Sequence, residues 1–431
     1  MRATRRTRAH YGWLGAGALA LGLGAALADG SGVAHADASG NTASAASARS
    51  ASSHHAPISA RPRRVAASAT LERNPAVAKR AVLSAAAVSN PVSRARTAFA
   101  APIAATPAPT TYTAGSKLPS RIQWDANYGY CGEVSFISAG LNYGQYISQY
   151  DARAIASKNA RQSLESSQLL LGVNDVATAK AMHLTAMAFN TAQQPTSTAF
   201  LSWVKSNVTA GYPVVIGVFM NQSRFYGTTN LNAGDTEYDH IVAVTSVTST
   251  HPLTGPTTYY ADDVLTFNDN GEWTGTNGQP QNAFSYSFGS FAATRQRANA
   301  KTAAVYSLKN GADYGIAITG IIDLSRETVP VRLTTSTNAE TPAMVNGSNT
   351  RPAAKPVTLT ITVSNLKPGT TYTLYRYNSM ANVPDSNINA NAAKAAQKWT
   401  ITIPSGSTYT MTQTINSNET AVYRAVPAGA P

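Results

Sequence analysis

The sequence is poor in the residues that build disulfides, metal sites and cofactor sites. Its 431 residues include a single cysteine, Cys131, which excludes an intramolecular disulfide. One cysteine with scattered histidines cannot supply the four ligands of a structural zinc site, and the acidic residues lack the spacing of a calcium loop. The region predicted to be globular has no glycine-rich phosphate loop. We therefore predict that the protein uses no metal and no cofactor.

Long apolar runs are also scarce. The run Leu14–Ala28 spans 15 residues, whereas a membrane-spanning helix needs roughly 20. It follows a basic N-terminus and precedes Ala34-His35-Ala36, which has the small-x-small form of a cleavage site. Residues 1–36 are therefore predicted to be a signal peptide, so the mature protein is secreted or associated with the cell envelope without a membrane anchor. Arg5-Arg6 leaves the Sec and twin-arginine routes open, and an uncleaved anchor is the competing interpretation.

Aromatic and acidic residues are nearly absent between positions 37 and 111, where Ala, Ser, Pro and Arg dominate. Such a segment buries too little apolar surface to offset its chain entropy, which predicts a disordered tether. Residues 1–110 contain 13 Lys/Arg and 3 Asp/Glu, and so carry +10 of the chain's net charge of +13. The tether is predicted to be a solvated linker, with contact to anionic cell-wall polymer or lipid headgroups as the alternative. It lacks nucleic-acid-binding signatures, so no nucleic-acid partner is predicted.

From residue 112 the composition becomes aromatic-rich, and residues 112–326 are long enough for one sizeable domain. Apolar spacing predicts helices in its first half: after Cys131, at Asn174–Phe189 and at Thr196–Asn207. β-branched runs predict strands in its second half: Tyr212–Phe219, Tyr238–Thr245, Tyr259–Phe267, Thr302–Leu308 and Tyr314–Ile322. The predicted class is therefore α+β, with a helical half followed by an antiparallel sheet.

Residues 327–431 contain six short alternating segments rich in Thr, Val, Tyr and Ile, separated by turn residues. They predict the following strands: Thr328–Thr335, Val357–Val363, Thr371–Tyr377, Trp399–Ile403, Tyr409–Ile415 and Ala421–Val426. Six such strands are typical of an all-β sandwich, and Leu366–Leu374 is similar to the turn and strand of fibronectin type III-like modules. Either the sandwich is a structural appendage packed on the preceding domain, or it binds substrate or a cell surface.

The single cysteine stands where an irregular Asn/Gly/Tyr segment gives way to a predicted helix. A thiol at a helix N-terminus experiences the positive end of the peptide dipoles, which favours the nucleophilic thiolate. The alternative is a small buried side chain, since free cysteines are often buried. An unpaired cysteine in an exported protein is prone to oxidation, which favours a functional use for it. Cys131 is therefore a candidate nucleophile.

A thiolate hydrolase also needs a general base, and histidine titrates in the right range. The globular part contains three histidines: His183, His240 and His251. His240 opens an apolar strand, where a side chain can be presented rigidly, whereas His251 lies in a polar loop and His183 inside a predicted helix. His240 is therefore the predicted base. A polar group must orient its ring, and the run Asn268–Asn270 follows the third predicted strand.

Two choices stay open at this point. Strand alternation points Asn268 and Asp269 to opposite faces, so only one of them can orient His240. An oxyanion needs hydrogen-bond donors, often a side-chain amide together with the main-chain N–H of the nucleophile. Gln123 stands eight residues before the cysteine and is the predicted donor, with Asn127 as the nearer alternative.

Taken together, these residues resemble the pattern of a papain-like cysteine peptidase: Gln123, then Cys131 before a glycine at a helix start, then His240, then the Asp269 turn. The closer similarity is to the domain of double-glycine leader peptidases in secreted bacterial proteins, over roughly residues 118–325. The resemblance implies that Cys131 is the nucleophile and His240 the base. It also implies that Asp269 orients His240 and that Gln123 lines the oxyanion hole. The implied substrate is a peptide or protein, cleaved through an acyl-enzyme without a cofactor.

Two spacings depart from that family. Cys131 and His240 are 109 residues apart, more than in compact leader peptidases, and Tyr226–Asp239 is the predicted inserted loop. His240 and Asp269 are 29 residues apart, which is also long. Transglutaminase-like and cell-wall endopeptidase-like enzymes share the order Cys, His, Asp, although the Asp-Cys-Ser start of the latter is absent here. Two functions remain under consideration: a secreted cysteine hydrolase, or an inactive peptidase-like protein that binds cell-wall or surface material.

Overall fold

The computed structural model describes residues 110–116, 118–158, 161–221, 240–254, 258–273, 281–292 and 304–429. The predicted signal peptide (1–36), all but the end of the predicted tether (37–111) and the predicted inserted loop (Tyr226–Asp239) lie outside these ranges. Within them, no helix is both long enough and apolar enough to cross a bilayer.

The described chain is a mixed α and β structure whose strands pair mainly antiparallel, as the predicted α+β class requires. The helices are α1 (Cys131–Leu141), α2 (Gln149–Ser157), α3 (Asp175–Ala181), α4 (Ser197–Thr209) and α5 (Phe288–Phe291). The first nine strands are β1 (Tyr112–Gly115), β2 (Gln145–Tyr146), β3 (Leu184–Ala188), β4 (Val214–Met220), β5 (His240–Ser249), β6 (Val264–Trp273), β7 (Gln281–Ser287), β8 (Tyr306–Ser307) and β9 (Gly315–Ile321). The remaining strands are β10 (Val331–Thr335), β11 (Pro356–Val363), β12 (Thr371–Tyr377), β13 (Gln397–Thr402), β14 (Tyr409–Asn416) and β15 (Ala421–Pro427).

Eight strands form one sheet in the order β3-β9-β4-β5-β6-β7, with β1 beside β5 and β8 beside β4. Helices α4 and α5 cover one face, and α1 to α3 cover the other. The central strand β4 is buried on both sides. Val214 and Ile216 pack in the core beneath α4 and α5, while Val215 packs in the core beneath α1 to α3. This double burial explains its continuous apolar run. The helix predicted at Thr196–Asn207 and the strands at Tyr212–Phe219 and Tyr314–Ile322 are confirmed as α4, β4 and β9.

Helix α1 is held by burial rather than by its own propensity. Ten of its eleven residues are buried, although Tyr130 provides no side-chain cap at its start. The chain passes close to its first turn at Gly132, where a Cβ would lie 2.1 Å from the Leu169 carbonyl oxygen and 3.3 Å from Ile241 Cδ1. Glycines weaken an isolated helix but permit this approach. The N-terminus of α1 therefore packs against the beginning of β5.

The helix predicted at Asn174–Phe189 is wrong in its second half. Helix α3 ends at Ala181, and His183 has a positive φ of 54°, which a continuing α-helix excludes. Residues Leu184–Ala188 then form β3, which pairs antiparallel with β9. The Ala- and Met-rich sequence favours a helix locally, but pairing with β9 decides the outcome.

The strand predicted at Tyr259–Phe267 is shifted along the chain, because β6 begins only at Val264. Strand β6 continues to Trp273, but its pairing with β7 is irregular between Asn268 and Trp273. Asp269 therefore lies in a strand irregularity and not in a turn. Such irregularities re-aim side chains and are frequent beside active sites. The strand predicted at Thr302–Leu308 is present in the described residues only as the two-residue β8.

The C-terminal strands predicted from the sequence are all present, as β10 to β15. Strands β10, β11 and β14 form one sheet, β13, β12 and β15 form the other, and an apolar core lies between them. The second sheet gains a fourth strand from β2, which pairs with β15 at Tyr146 and Ala421. Leu141 and Tyr146 also enter the sandwich core. The sandwich therefore shares a sheet and a core with the residues before it.

The loop that joins β10 to β11 also supports the segment upstream of α1. Ile122 N–H donates to the Asn338 carbonyl at 2.7 Å, and Trp124 Nε1 donates to the Glu340 carbonyl at 3.0 Å. Oε2 of the buried Glu340 side chain accepts the N–H of Gln149 at 2.8 Å. Residues 338–340 therefore lie directly against the stretch that leads to the predicted nucleophile.

Candidate active site

Cys131 is the first residue of α1 and is partly exposed. The first hydrogen bond of the helix is donated by the N–H of Val134 to the Tyr130 carbonyl at 2.9 Å. The N–H groups of residues 131–133 therefore have no acceptor within the helix, and they form its positive end. The Cys131 side chain therefore lies at the end of the helix where the peptide dipoles are positive. The predicted helix start at Cys131 is confirmed.

Asn270 holds the start of α1 against the start of β5. Its Nδ2 lies 3.1 Å from the Cys131 carbonyl oxygen and 3.1 Å from the carbonyl oxygen of Ile241, the residue after His240. It also lies 3.1 Å from Ser135 Oγ. Because one buried amide nitrogen contacts both main chains, Cys131 and His240 are held at adjacent positions.

His240 is the first residue of β5 and is only 5% exposed. Its Nε2 lies 3.0 Å from Oδ1 of Asp269, and its ring also interacts with the Cys131 side chain. Burial by itself would lower the pKa of His240, but hydrogen bonds with Asp269 and Cys131 and the charges of both raise it to about 10. The ring is therefore protonated at neutral pH, as a proton donor to a leaving group must be.

Asp269, and not Asn268, is the residue that meets His240. Its carboxylate is only 1% exposed, and Oδ1 also accepts the N–H of Gly271 at 2.8 Å. Asn268 instead occupies a ladder position opposite Ala243 on β5. Successive strand residues point to opposite faces, so the carboxylate reaches the base while the neighbouring amide does not.

Gln123 is oriented by the loop that precedes α1. Its Oε1 accepts the N–H of Tyr130 at 2.7 Å. Nε2 faces Gly271, because a Cβ there would lie 3.1 Å from it. The same position lies 3.3 Å from Asp269 Oδ1 and 3.6 Å from His240 Cε1. The Gln123 amide nitrogen therefore lies beside the predicted base, where an amide donor is suited to stabilise an oxyanion.

Asn127, the alternative donor, is engaged elsewhere. Its Nδ2 donates to the Ser348 carbonyl at 2.9 Å, and its Oδ1 accepts the N–H of Gly347 at 2.6 Å. Its main-chain N–H donates to Asn346 Oδ1 at 2.9 Å. Both ends of this amide therefore bind the loop that joins β10 to β11.

The loop between these two amides has an unusual main chain. Asn127, Tyr128 and Gly129 have positive φ angles of 48°, 69° and 85°, which is costly for the two non-glycine residues. Arg153 donates to the carbonyls of Asn127, at 2.8 Å, and of Gly129. Gln168 Nε2 donates to the carbonyl of Tyr128 at 2.8 Å. These two side chains fix the approach to Cys131, and no sequence motif marks either of them.

Tyr306 is a third residue that the sequence did not indicate. Its ring stacks on His240 with centroids 5.8 Å apart and planes inclined by 16°. Its hydroxyl hydrogen-bonds to the Asp269 carboxylate, and burial together with that charge raises the pKa of Tyr306 well above its usual value. The residue is only 1% exposed. Only the pairing of β8 with β4 brings it here, so no local pattern could have revealed it.

The other two histidines serve different purposes. His183 Nδ1 lies 2.6 Å from Asp385 Oδ1 and its Nε2 lies 2.9 Å from the Met380 carbonyl, so it ties β3 to the sandwich. The side chain of His251 is 39% exposed and stacks on Tyr260 with centroids 3.6 Å apart. In the part of the chain that the structure describes, no group of three or more His, Cys, Asp or Glu residues could hold a metal ion.

No model of a known protein family matches the chain, and neither a curated protein nor a solved structure does. Its function is therefore inferred from the geometry of these side chains.

The four predicted site residues come together in one place. Cys131 stands at the positive end of α1 and interacts with the His240 ring, while Asp269 fixes the ring and Gln123 offers an amide N–H beside it. A nucleophile, a proton donor and an oxyanion donor are the groups that acyl transfer requires.

Proposed function

We propose that the protein is a cysteine hydrolase that cleaves peptide or amide bonds through an acyl-enzyme on Cys131. The observation that carries the proposal is the contact of His240 with both Asp269 and Cys131, because thiol catalysis needs a base held between nucleophile and orienting group. A papain-like arrangement is supported by the helix that begins at Cys131 and packs on the antiparallel sheet bearing His240 and Asp269.

In the first half-reaction, the Cys131 thiolate attacks the carbonyl carbon of the scissile amide and forms a carbon–sulfur bond. The carbonyl oxygen becomes an oxyanion, for which the main-chain N–H of Cys131 and Nε2 of Gln123 are the donors. The cationic His240 gives its proton to the leaving nitrogen, and the carbon–nitrogen bond breaks. The products are a thioester and a free amine.

In the second half-reaction, the now neutral His240 accepts a proton from water as the water oxygen attacks the thioester carbon. The carbon–sulfur bond breaks and the thiolate returns, beside a His240 that is again cationic. Asp269 remains ionised throughout and keeps the ring aligned. The cycle uses one water and requires no cofactor.

The proposal includes export. The predicted signal peptide at residues 1–36 would carry the enzyme across the membrane, so its peptide or protein substrate is expected in the envelope or outside the cell. The basic tether is proposed to be a solvated linker, with contact to anionic wall polymer or lipid headgroups as the alternative.

The test is labelling of the full chain with iodoacetamide and with an epoxide probe for papain-like enzymes, followed by intact mass. We expect rapid modification of Cys131 at about pH 6, where an ordinary thiol with a pKa of about 8.5 reacts slowly. Cys131→Ala should lose labelling and all peptide hydrolysis. His240→Gln is the matched control, because it keeps the thiol and removes its activation.

Equal labelling rates in the wild type and His240→Gln would contradict the proposal, because the thiol would then be merely accessible. Binding to cell-wall material that Cys131→Ala leaves unchanged, combined with slow labelling of the wild type, would instead support the inactive, surface-binding protein.

A further inference from the structure

Tyr306 contacts both members of the His240–Asp269 pair. Its ring lies parallel to the imidazole at a centroid distance of 5.8 Å, and its hydroxyl bonds to the carboxylate. No other tyrosine among the described residues stacks on His240.

The ring of Tyr306 cannot move away from the pair. Phe284 packs edge-on against it at 4.9 Å and Phe267 at 5.5 Å. Its main-chain N–H bonds to the Tyr286 hydroxyl at 3.2 Å, and β8 pairs it with Met220 on β4. The hydroxyl is therefore held at Asp269 by the surrounding core.

A buried carboxylate needs hydrogen-bond donors to stay ionised. Oδ1 of Asp269 receives His240 Nε2 at 3.0 Å and the N–H of Gly271 at 2.8 Å. Tyr306 supplies a further donor to the same carboxylate. The negative charge of Asp269 in turn opposes ionisation of the Tyr306 hydroxyl, so the hydroxyl remains a donor over the whole working pH range.

We propose that Tyr306 is a positioning residue that keeps Asp269 ionised and aligned, so that the His240 imidazolium and the Cys131 thiolate persist under acidic conditions. The inference rests on the proposed hydrolase function. Loss of the hydroxyl would let Asp269 take up a proton at a higher pH, and the charge that stabilises the imidazolium would disappear with it. The stacked ring separately shields the hydrogen bond between His240 and Asp269 from water.

The experiment measures the pH dependence of Cys131 alkylation by iodoacetamide in the full chain, so that no substrate is needed. Tyr306→Phe keeps the ring and removes only the hydroxyl. At about pH 5 we expect it to react about tenfold more slowly than the wild type, the effect of one pKa unit in the pair. Near pH 9 the two rates should agree within about twofold, since the thiolate then forms without help. Tyr306→Leu removes the stacking too and should be slower across the acidic range.

Tyr146→Phe is the matched control. Tyr146 is also fully buried, and its hydroxyl donates to the Ser417 carbonyl at 2.9 Å within the sandwich. This variant should lose a similar amount of thermal stability and keep the wild-type pH profile. If the wild type reacts readily at low pH and Tyr306→Phe alkylates there at the same rate, the inference about Tyr306 is overturned while the proposed function stands. A wild type that reacts like a free thiol would overturn the proposed function and the inference with it.

Discussion

Nε2 of His240 lies 3.0 Å from Oδ1 of Asp269, and neither side chain is more than 5% exposed. Water therefore competes little for this hydrogen bond, and the carboxylate charge acts on the ring through a medium of low dielectric constant. The protonated state of His240 is the direct consequence, and several properties of the protein depend on it.

Replacement of Asp269 by Asn should weaken thiol activation without removing the hydrogen bond. The amide oxygen can still accept from His240, but the charge that stabilises the imidazolium is lost. We expect Cys131 alkylation at about pH 6 to slow about tenfold, corresponding to one pKa unit. Asn268→Ala is the control, and should alkylate at the wild-type rate. A slow Asn268→Ala beside a normal Asp269→Asn would reverse the assignment of the orienting residue.

The two amides before Cys131 should separate catalysis from stability. Gln123→Ala removes a proposed oxyanion donor and should lower kcat about 10²-fold or more, while iodoacetamide alkylation, which forms no oxyanion, stays normal. Asn127→Ala leaves its partners at the sandwich unpaired and should cost about 1–3 kcal/mol in the free energy of unfolding. Peptide hydrolysis and urea denaturation of both variants measure the two effects. Reversal of the pattern would make Asn127 the donor.

Arg153→Met should destabilise the protein strongly. Arg153 is fully buried, and its Nε lies 2.6 Å from Oε1 of the equally buried Glu133. Removal of one partner leaves a buried charge uncompensated, which typically costs about 3–5 kcal/mol. Arg351→Met is the control, because Arg351 pairs with Asp151 at a surface where it is 39% exposed, and such pairs contribute about 1 kcal/mol or less. Similar urea midpoints for the two variants would contradict this view of Arg153.

Glu340 should make stability fall as the pH rises. Burial raises the pKa of Glu340 from its usual 4.5 to about 8, while the N–H of Gln149 and the charge of Arg121 act in the opposite direction. Between those values the folded protein holds a proton that the unfolded chain has released, so ionisation favours unfolding. The stabilising effect is complete below about pH 4.5 and is lost through about pH 8. Glu340→Gln should flatten the decline of the urea midpoint between about pH 5 and 8.5. An equal decline in both proteins would assign it to other groups.

Much of the site follows from the sequence because three of its four residues stand in a local pattern, whereas Gln123 was chosen by its position eight residues before Cys131. Cys131 begins a helix and His240 begins a strand, and the short run Asn268–Asn270 interrupts the next strand. Where the patterns depend on tertiary pairing, sequence reasoning fails. The segment from Leu184 to Ala188 looks helical, but it pairs with β9. The choice between Asn268 and Asp269 likewise required the structure, because it depends on which of the two side chains faces His240.

The supporting residues could not be predicted, for a related reason. Arg153 and Tyr306 lie in an ordinary helix and in a two-residue strand, without any motif. They become significant only because the fold places Arg153 against the carbonyls of the loop 127–129 and Tyr306 against His240. Such roles arise from the packing of distant segments, for which composition and spacing carry no signal.

The pairing of β2 with β15 joins the residues that follow α1 to the C-terminal sheet. Strand β15 is the last strand of the chain, and the N–H of Tyr423 within it bonds to the Gly144 carbonyl at 2.7 Å. Gly144 lies just beyond Leu141, the last residue of the helix that Cys131 begins. Strand β15 also pairs with β12 over six positions, so the residues that follow α1 belong to the same hydrogen-bonded sheet as the sandwich strands. A change that loosens this sheet would therefore also loosen the end of the helix that carries Cys131.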